Sequence, residues 1–410
     1  MDARLIDRFP SGIVRPPSSK SLGHRAVVCA ALANSESVIR RVNLSEDIQA
    51  TLDGVTVLGA RWHLDGGTLF VSGGQNLCGH QIDCGESGST LRFLIPVAAL
   101  SAQETVFTGR GRLLERPMET YARVLPSAGA TFFQEDGCIR TSGPLRGGVY
   151  TLPGDVSSQF FSGLLFALPL AHPDSELHLT TALESAPYVT LTLDVMRRFG
   201  VKVTQKDGIF SIPGGQRYHS CDITLEADYS QAAFFLASAA LGRPVRCAGL
   251  DPNSRQGDRA ILRVLRDMGV SVDWNDGLVS AKAERLNAVT VDLREIPDLA
   301  PPIAALCCFA EGTSRIINAG RLRLKESDRL SALAGELGRL GADIEEGPDS
   351  LTIRGKPSLP GGQADAQGDH RIAMATAVAA IRCTGPVTLT GYQSVNKSYP
   401  QFWKDFEVER

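Results

Sequence analysis

Lys20, Ser21 and Arg25 stand together in PSSKSLGHR, and similar mixtures of small polar and basic residues recur along the chain. Gly88, Ser89, Thr90 and Arg92 lie in GESGSTLR, Ser157, Ser158 and Gln159 in SSQ, and Asp369, His370 and Arg371 in GDHR. Each group opens a small-residue apolar run of helical length. Unbonded N–H groups at a helix start, joined by hydroxyls and guanidinium groups, can hold a phosphate or carboxylate. Taken singly, each group is better explained as a capped helix start. A Lys or Arg in the first turn opposes the helix dipole, however, and its repetition is harder to reduce to capping. Four further places carry the same chemistry. Arg116 sits beside a proline in ERPM. In KESDR, Lys325 and Arg329 fall on one helical face with Glu326 and Asp328 among them, which also fits a solvated salt-bridge face. Asp298 in IPDLAPP is expected to cap a helix, and Lys397 in NKSYP is expected at a helix start. Together these groups could bind anions and move protons. His24 and His370 have no HxxH or HExxH partner, so no metal site is expected. The GxSxG and GxxxxGK[ST] patterns are missing too, which removes serine-hydrolase and P-loop readings.

Composition narrows the field further. The 410 residues are 43% hydrophobic and 21% charged, with a net charge of −3, so an anionic ligand must meet a local basic cluster and bulk nucleic-acid binding is not expected. No stretch approaches the roughly 18 apolar residues of a membrane span. The start MDARLIDRFPSG lacks a signal-peptide core, and a cytoplasmic protein is expected. Nine cysteines, mostly in apolar runs (Cys29, Cys307, Cys308, Cys383) and with no CxxC pair, point to a reducing compartment without structural zinc.

The elements that must position these groups form a sixfold repeat. LGARWHLDGGTLFV, AGATFFQEDGCIRT, FGVKVTQKDGIFSI, MGVSVDWNDGLVSA and LGADIEEGPDSLTI share one pattern, and their glycines (Gly59, Gly129, Gly200, Gly269, Gly341) are 70, 71, 69 and 72 residues apart. Each glycine falls just past a helix, where a left-handed cap requires it, and the DGG, EDG, KDG, NDG and GPD turns are hairpin chemistry. With the same period, apolar helices begin near Ser21, Ser87, Ser157, Tyr229, Asp298 and Asp369. They are apolar nearly all round and are expected to be buried. The period is too long for most solenoids. The expected fold is α/β, with two domains of three βαβαββ-like units. The sixth unit lacks a strand, which the N-terminal GIVRPP segment is expected to supply. One domain would then be discontinuous, residues 1–17 plus 227–410, with 18–226 inserted between two linkers and a cleft between the domains.

In order and spacing, KSLGHR, SGSTLR, ERPM, SSQF, SAPYV, EADYSQAAFF, IPDLAP, KESDRL, GDHRIAM and NKSYPQFW resemble the enolpyruvyl transferases over the whole chain, specifically those acting on shikimate 3-phosphate. The resemblance implies two domains of three units, an active site in the cleft, and enolpyruvyl transfer from phosphoenolpyruvate to the 5-hydroxyl of shikimate 3-phosphate. Such an enzyme belongs to aromatic amino-acid biosynthesis and is a glyphosate target. It further implies shikimate 3-phosphate contacts from Lys20, Ser21, Arg25, Ser157, Ser158, Gln159, Ser185, Tyr188, Asp298 and Lys325. The phosphoenolpyruvate contacts would be Lys20, Gly88, Arg116, Gln159, Arg329, Arg371 and Lys397, and the catalytic groups Lys20, Asp298 and Glu326. No cofactor or metal is implied, and a monomer without membrane or nucleic-acid partners is expected. This chain departs from the pattern at Glu86–Ser87, where many members have Asn-Ala, at Phe93 for a proline, and at Arg321 for a substrate-contacting Asn. The rivals are the UDP-N-acetylglucosamine enolpyruvyl transferases, whose loop cysteine has no counterpart between Glu104 and Pro126, and a non-catalytic repeat scaffold.

Overall fold

The computed structural model describes residues 2–74, 80–135 and 137–407. The chain divides into two compact halves: an inserted half, Lys20–Leu225, and a discontinuous half, Met1–Ser19 with Glu226–Arg410. Each half has its own hydrophobic core. Six apolar helices, α1 (Lys20–Ala31), α3 (Gly88–Ala98), α5 (Ser158–Ala167), α7 (Tyr229–Ala240), α9 (Ala300–Cys307) and α11 (His370–Ala380), alternate with six others. The latter are α2 (Glu46–Val57), α4 (Glu119–Ser127), α6 (Ala186–Arg198), α8 (Ile261–Asp267), α10 (Arg329–Arg339) and α12 (Phe402–Phe406). Every residue of α7, α9 and α11 is buried, as their all-round apolar character demands. No helix among the described residues is long and apolar enough to cross a membrane. The described cysteines are free thiols.

The five spaced glycines all take positive φ, from 81° to 100°, and end the helices before them. Asp207–Gly208 and Asp276–Gly277 have positive φ at both central positions, the hairpin geometry that matches strand twist. Asp136 of the EDG turn lies outside the described residues.

Five sheets have four strands and one common plan: a leading strand parallel to the next, followed by an antiparallel hairpin. At two places the leading strand comes from a distant part of the sequence. Gly12–Val14 pairs parallel with Val245–Ala248 in the discontinuous half, and Asp222–Thr224 pairs parallel with Glu36–Arg40 in the inserted half. The GIVRPP segment therefore completes the fourth unit and not the sixth, which corrects the expectation. The sixth sheet is instead closed by Ala3–Ile6, antiparallel to Val387–Thr390. That unit has no hairpin of its own, so the antiparallel position beside Val387–Thr390 is open to it. The parallel position beside Val245–Ala248 is what a leading strand fills.

Candidate active site

In the inserted half, close helix approach builds the first cluster. Gly163 of α5 rests on the Arg92 carbonyl of α3; a methyl there would come within 2.2 Å of that oxygen. The contact brings Gln159, one turn earlier, to Arg92, whose guanidinium donates to Gln159 Oε1 at 2.9 Å. Gln159 Nε2 in turn donates to Ser89 Oγ at 3.0 Å. Arg116, just past the 3₁₀ turn Leu113–Glu115, reaches the same corner. A methyl on Gly88 would lie 2.9 Å from an Arg116 nitrogen, 3.0 Å from one of Arg92 and 3.4 Å from Gln159 Oε1. Two guanidinium groups and an amide thus converge on the bare Cα that opens α3. Ser157 caps α5 by accepting from the Gln159 N–H, and Ser158 is buried beside it.

A third arginine is held more tightly. Arg25 donates to Thr192 Oγ1 (2.8 Å), the Ser21 carbonyl (2.7 Å) and the Tyr188 carbonyl (2.9 Å). Its guanidinium stacks 5.2 Å from the Phe93 ring centroid. Burial lowers it to about 10, which leaves it a cation at neutral pH. Ser185 precedes α6 at φ 56° and is buried. Lys20 opens α1 and pairs with Asp47 of α2 at 2.5 Å.

In the discontinuous half the charges are knotted around Arg329. Its guanidinium donates to Asp369 Oδ2 (2.8 Å), Glu326 Oε2 (2.7 Å) and Asp298 Oδ1 (3.2 Å). Arg371 donates to the Asp298 carbonyl at 3.0 Å and to its Oδ2 at 3.2 Å, and Lys325 lies 3.5 Å from Oδ1. Lys397 donates to the Gly368 carbonyl at 2.6 Å, beside the start of α11. Burial pushes Asp298 up, but Arg371, Lys325 and Arg329 outweigh it and hold the carboxyl well below its usual range. Burial lowers Lys325, partly offset by Asp298. Burial likewise acts to lower Arg329, and Asp369, Glu326 and Asp298 overcome it and raise it.

Three local expectations are corrected here. Asp328 caps α10, so the helix begins only at Arg329 and Lys325 stands on extended backbone after a 3₁₀ turn. The two cations do not share a helical face; they meet at Asp298. Asp298 caps nothing, because its oxygens are engaged by cations within the 3₁₀ turn Pro297–Leu299. Lys397 ends the 3₁₀ turn Tyr392–Lys397 and does not open a helix. Arg321 donates to the Arg294 carbonyl at 2.6 Å.

The EPSP synthase (3-phosphoshikimate 1-carboxyvinyltransferase) family model matches residues 9–406. The chain belongs to the EPSP synthase family. It is 45% identical over 403 residues to the 3-phosphoshikimate 1-carboxyvinyltransferase of Clostridium kluyveri, covering 96% of this chain and 94% of that one. The Clostridium acetobutylicum relative of the same name is 42% identical over 97% of this chain and 94% of its own length. Among solved structures, EPSP synthase from Acinetobacter baumannii superposes with a TM-score of 0.81 at 26% identity, covering 98% and 97% of the two chains. The enolpyruvyl transferase NikO from Streptomyces tendae shares the fold at a TM-score of 0.81 and 20% identity, over 98% and 95%.

Within this EPSP synthase family member, Arg92 and Asp369 stand among the helix-start groups visible in the sequence but outside the implied substrate contacts, whereas Asp47, the partner of Lys20, and Asp258, close enough to feel the charges of Asp298 and Arg371, escaped notice altogether. Asp47 and Asp369 read as ordinary helix-start acids, and only the fold shows their partners. Asp258, buried in the 3₁₀ turn Gly257–Ala260, accepts from Ser230 Oγ. Burial, then the charge of Asp298, push its carboxyl up to about 7 against the pull of Arg371. A carboxyl raised on folding binds more protons in the native state, so stability falls as pH rises from about 4 toward that value. Asp258→Asn is therefore expected to raise the melting temperature relative to the parent at pH 8 more than at pH 5. A pH-independent difference in thermal scans contradicts this.

Proposed function

We propose that this chain transfers the enolpyruvyl group of phosphoenolpyruvate to the 5-hydroxyl of shikimate 3-phosphate, releasing phosphate. The observation that supports the reading is the Gly88 corner: two guanidinium groups, Arg92 and Arg116, and the Gln159 amide gather at the bare start of a helix, chemistry that suits a small anion. The two substrates together bring about six negative charges. Lys20, Arg25, Arg116, Lys325, Arg329, Arg371 and Lys397 supply seven cations. Arginines grip carboxylate and phosphate by paired hydrogen bonds, while lysines act as point charges. Shikimate 3-phosphate falls to Lys20, Ser21, Arg25, Ser157, Ser158, Gln159, Ser185, Tyr188, Asp298 and Lys325. Phosphoenolpyruvate falls to Lys20, Gly88, Arg116, Gln159, Arg329, Arg371 and Lys397.

The 5-hydroxyl attacks C2 of phosphoenolpyruvate as a proton reaches C3, giving a tetrahedral ketal phosphate. Loss of phosphate and of the C3 proton then leaves the enol ether. Both steps are proton transfers between positioned groups. Asp298 holds the hydroxyl, and Glu326 and Lys20 form the acid/base pair. The enzyme acts as a cytoplasmic monomer without membrane or nucleic-acid partners. A coupled phosphate-release assay tests the reading: release is expected with phosphoenolpyruvate and shikimate 3-phosphate, and release only with UDP-N-acetylglucosamine refutes it.

Gly88→Ala places a methyl among Arg116, Arg92 and Gln159. It is expected to raise the inhibition constant of glyphosate, which resembles the phosphoenolpyruvate side, about tenfold or more. The shikimate 3-phosphate KM is expected to stay within about twofold. Equal losses for both ligands point to general damage at the start of α3.

A further inference from the structure

Three helix starts of the inserted half are joined beneath the site by a chain of buried polar groups. Thr90 Oγ1 donates to Ser87 Oγ at 2.7 Å, Thr90 Oγ1 and Thr51 Oγ1 are 2.6 Å apart, and Thr51 Oγ1 lies 2.7 Å from His24 Nδ1. All four residues are buried. Ser87 caps α3 and stands where the family resemblance leads one to expect alanine. Thr51 lies one turn past Asp47, the partner of Lys20. The chain therefore ties the Lys20–Asp47 pair to the turn that presents Gly88.

Proton counting gives the chain a direction. A threonine hydroxyl has one proton to donate. Thr90 has given its proton to Ser87, so the Thr51–Thr90 bond takes the proton of Thr51. The imidazole must then donate from Nδ1. The Asp47 carbonyl, 3.3 Å from Thr51 Oγ1 and 3.5 Å from Thr90 Oγ1, is the longer alternative for both hydroxyls. His24 Nε2 is buried without a hydrogen-bond partner. Leaving a lone pair there is less costly than stranding an N–H. Burial, reinforced by the charges of Lys20 and Arg25, keeps the ring neutral, so it holds a single proton.

We propose that His24, Thr51, Thr90 and Ser87 form a directed hydrogen-bond chain, with His24 as the Nδ1–H tautomer, that positions Gly88 against Lys20 and so sets affinity for phosphoenolpyruvate. These are positioning residues acting through Lys20 and Gly88. The affinity part rests on the reading of Gly88 as a phosphoenolpyruvate contact and of Lys20 as a contact shared by both substrates. Nitrogen NMR of histidine-labelled protein, assigned with His24→Gln, reads the tautomer directly. The expected result is a protonated Nδ1 and a bare Nε2; a protonated Nε2 overturns the proposal. Thr90→Val breaks the chain and leaves Thr51 the Asp47 carbonyl as its acceptor. The ring should then keep its Nδ1–H tautomer, while the phosphoenolpyruvate KM should rise about five- to tenfold and the shikimate 3-phosphate KM clearly less. Thr90→Ser should restore the parent values. Should Thr90→Val fold poorly, Thr51→Val breaks the same chain from the other side. Equal rises in both KM values, or none, overturn the positioning role. A parent protein that turns over neither substrate refutes the activity reading instead, and the tautomer still decides the direction of the chain.

Discussion

Asp298→Asn is expected to lower kcat about 10³-fold, the range for loss of one preorganised electrostatic contact to the reacting group, while both KM values change far less. The carboxylate sits among Arg329, Arg371 and Lys325, each within 3.5 Å. Burial alone would raise it; the cations win and keep it ionised at neutral pH. Asparagine keeps the shape but carries no charge, so it cannot draw on the substrate hydroxyl. The three cations around it still welcome anions, so binding survives while turnover falls. The sign of the pH effect on stability follows from a depressed pKa. The stability Asp298 contributes is present above the ordinary carboxylate value and is lost as pH falls through its native one. The melting-temperature advantage of the parent over the variant should therefore be full at neutral pH and shrink in acid. A kcat within tenfold of the parent makes Asp298 a counter-ion only.

Arg329→Met is expected to have the largest effect on stability. The guanidinium is 1% exposed and bridges Asp369, Glu326 and Asp298. Removing it leaves three carboxylates converging with no shared cation. Breaking a buried ion pair by removing one partner costs about 3–5 kcal/mol. For a half of about 200 residues that corresponds to a fall in melting temperature of roughly 10 °C. Arg329→Lys keeps the charge but not the planar fork that reaches three acids, and it is expected to recover only part of the loss. Scanning calorimetry checks both variants. A fall below about 2 °C for the methionine variant shows that the knot contributes little to stability.

Much of this architecture is legible in the sequence because a few positions tolerate a single residue type. Gly59, Gly129, Gly200, Gly269 and Gly341 mark the repeat because a helix ending in a left-handed residue tolerates little else. The buried helices announce themselves by lacking a polar face. What was not legible is long-range pairing. Gly12–Val14 and Ala3–Ile6 are both short alternating segments, and nothing in either states which sheet edge it will meet. The helical spacing of Lys325 and Arg329 misled because Asp328, between them, is the cap that starts the helix. Asp47 and Asp369 look like the caps and first-turn acids of any helix. Capping and site-building turned out not to be alternatives: Ser87, Ser157 and Asp369 cap their helices and lie within the clusters.

In this reaction the carbon–oxygen bond of phosphoenolpyruvate breaks, with the phosphate leaving and the three-carbon unit transferred. Phosphoenolpyruvate labelled with heavy oxygen at the bridge between C2 and phosphorus tests this most directly, with shikimate 3-phosphate as acceptor and mass spectrometry of the products. Attack at C2 followed by loss of phosphate predicts the label wholly in the released phosphate, and an enol ether without it. Label retained on the three-carbon product, with the phosphoryl group moved to the acceptor or to water, would contradict the account.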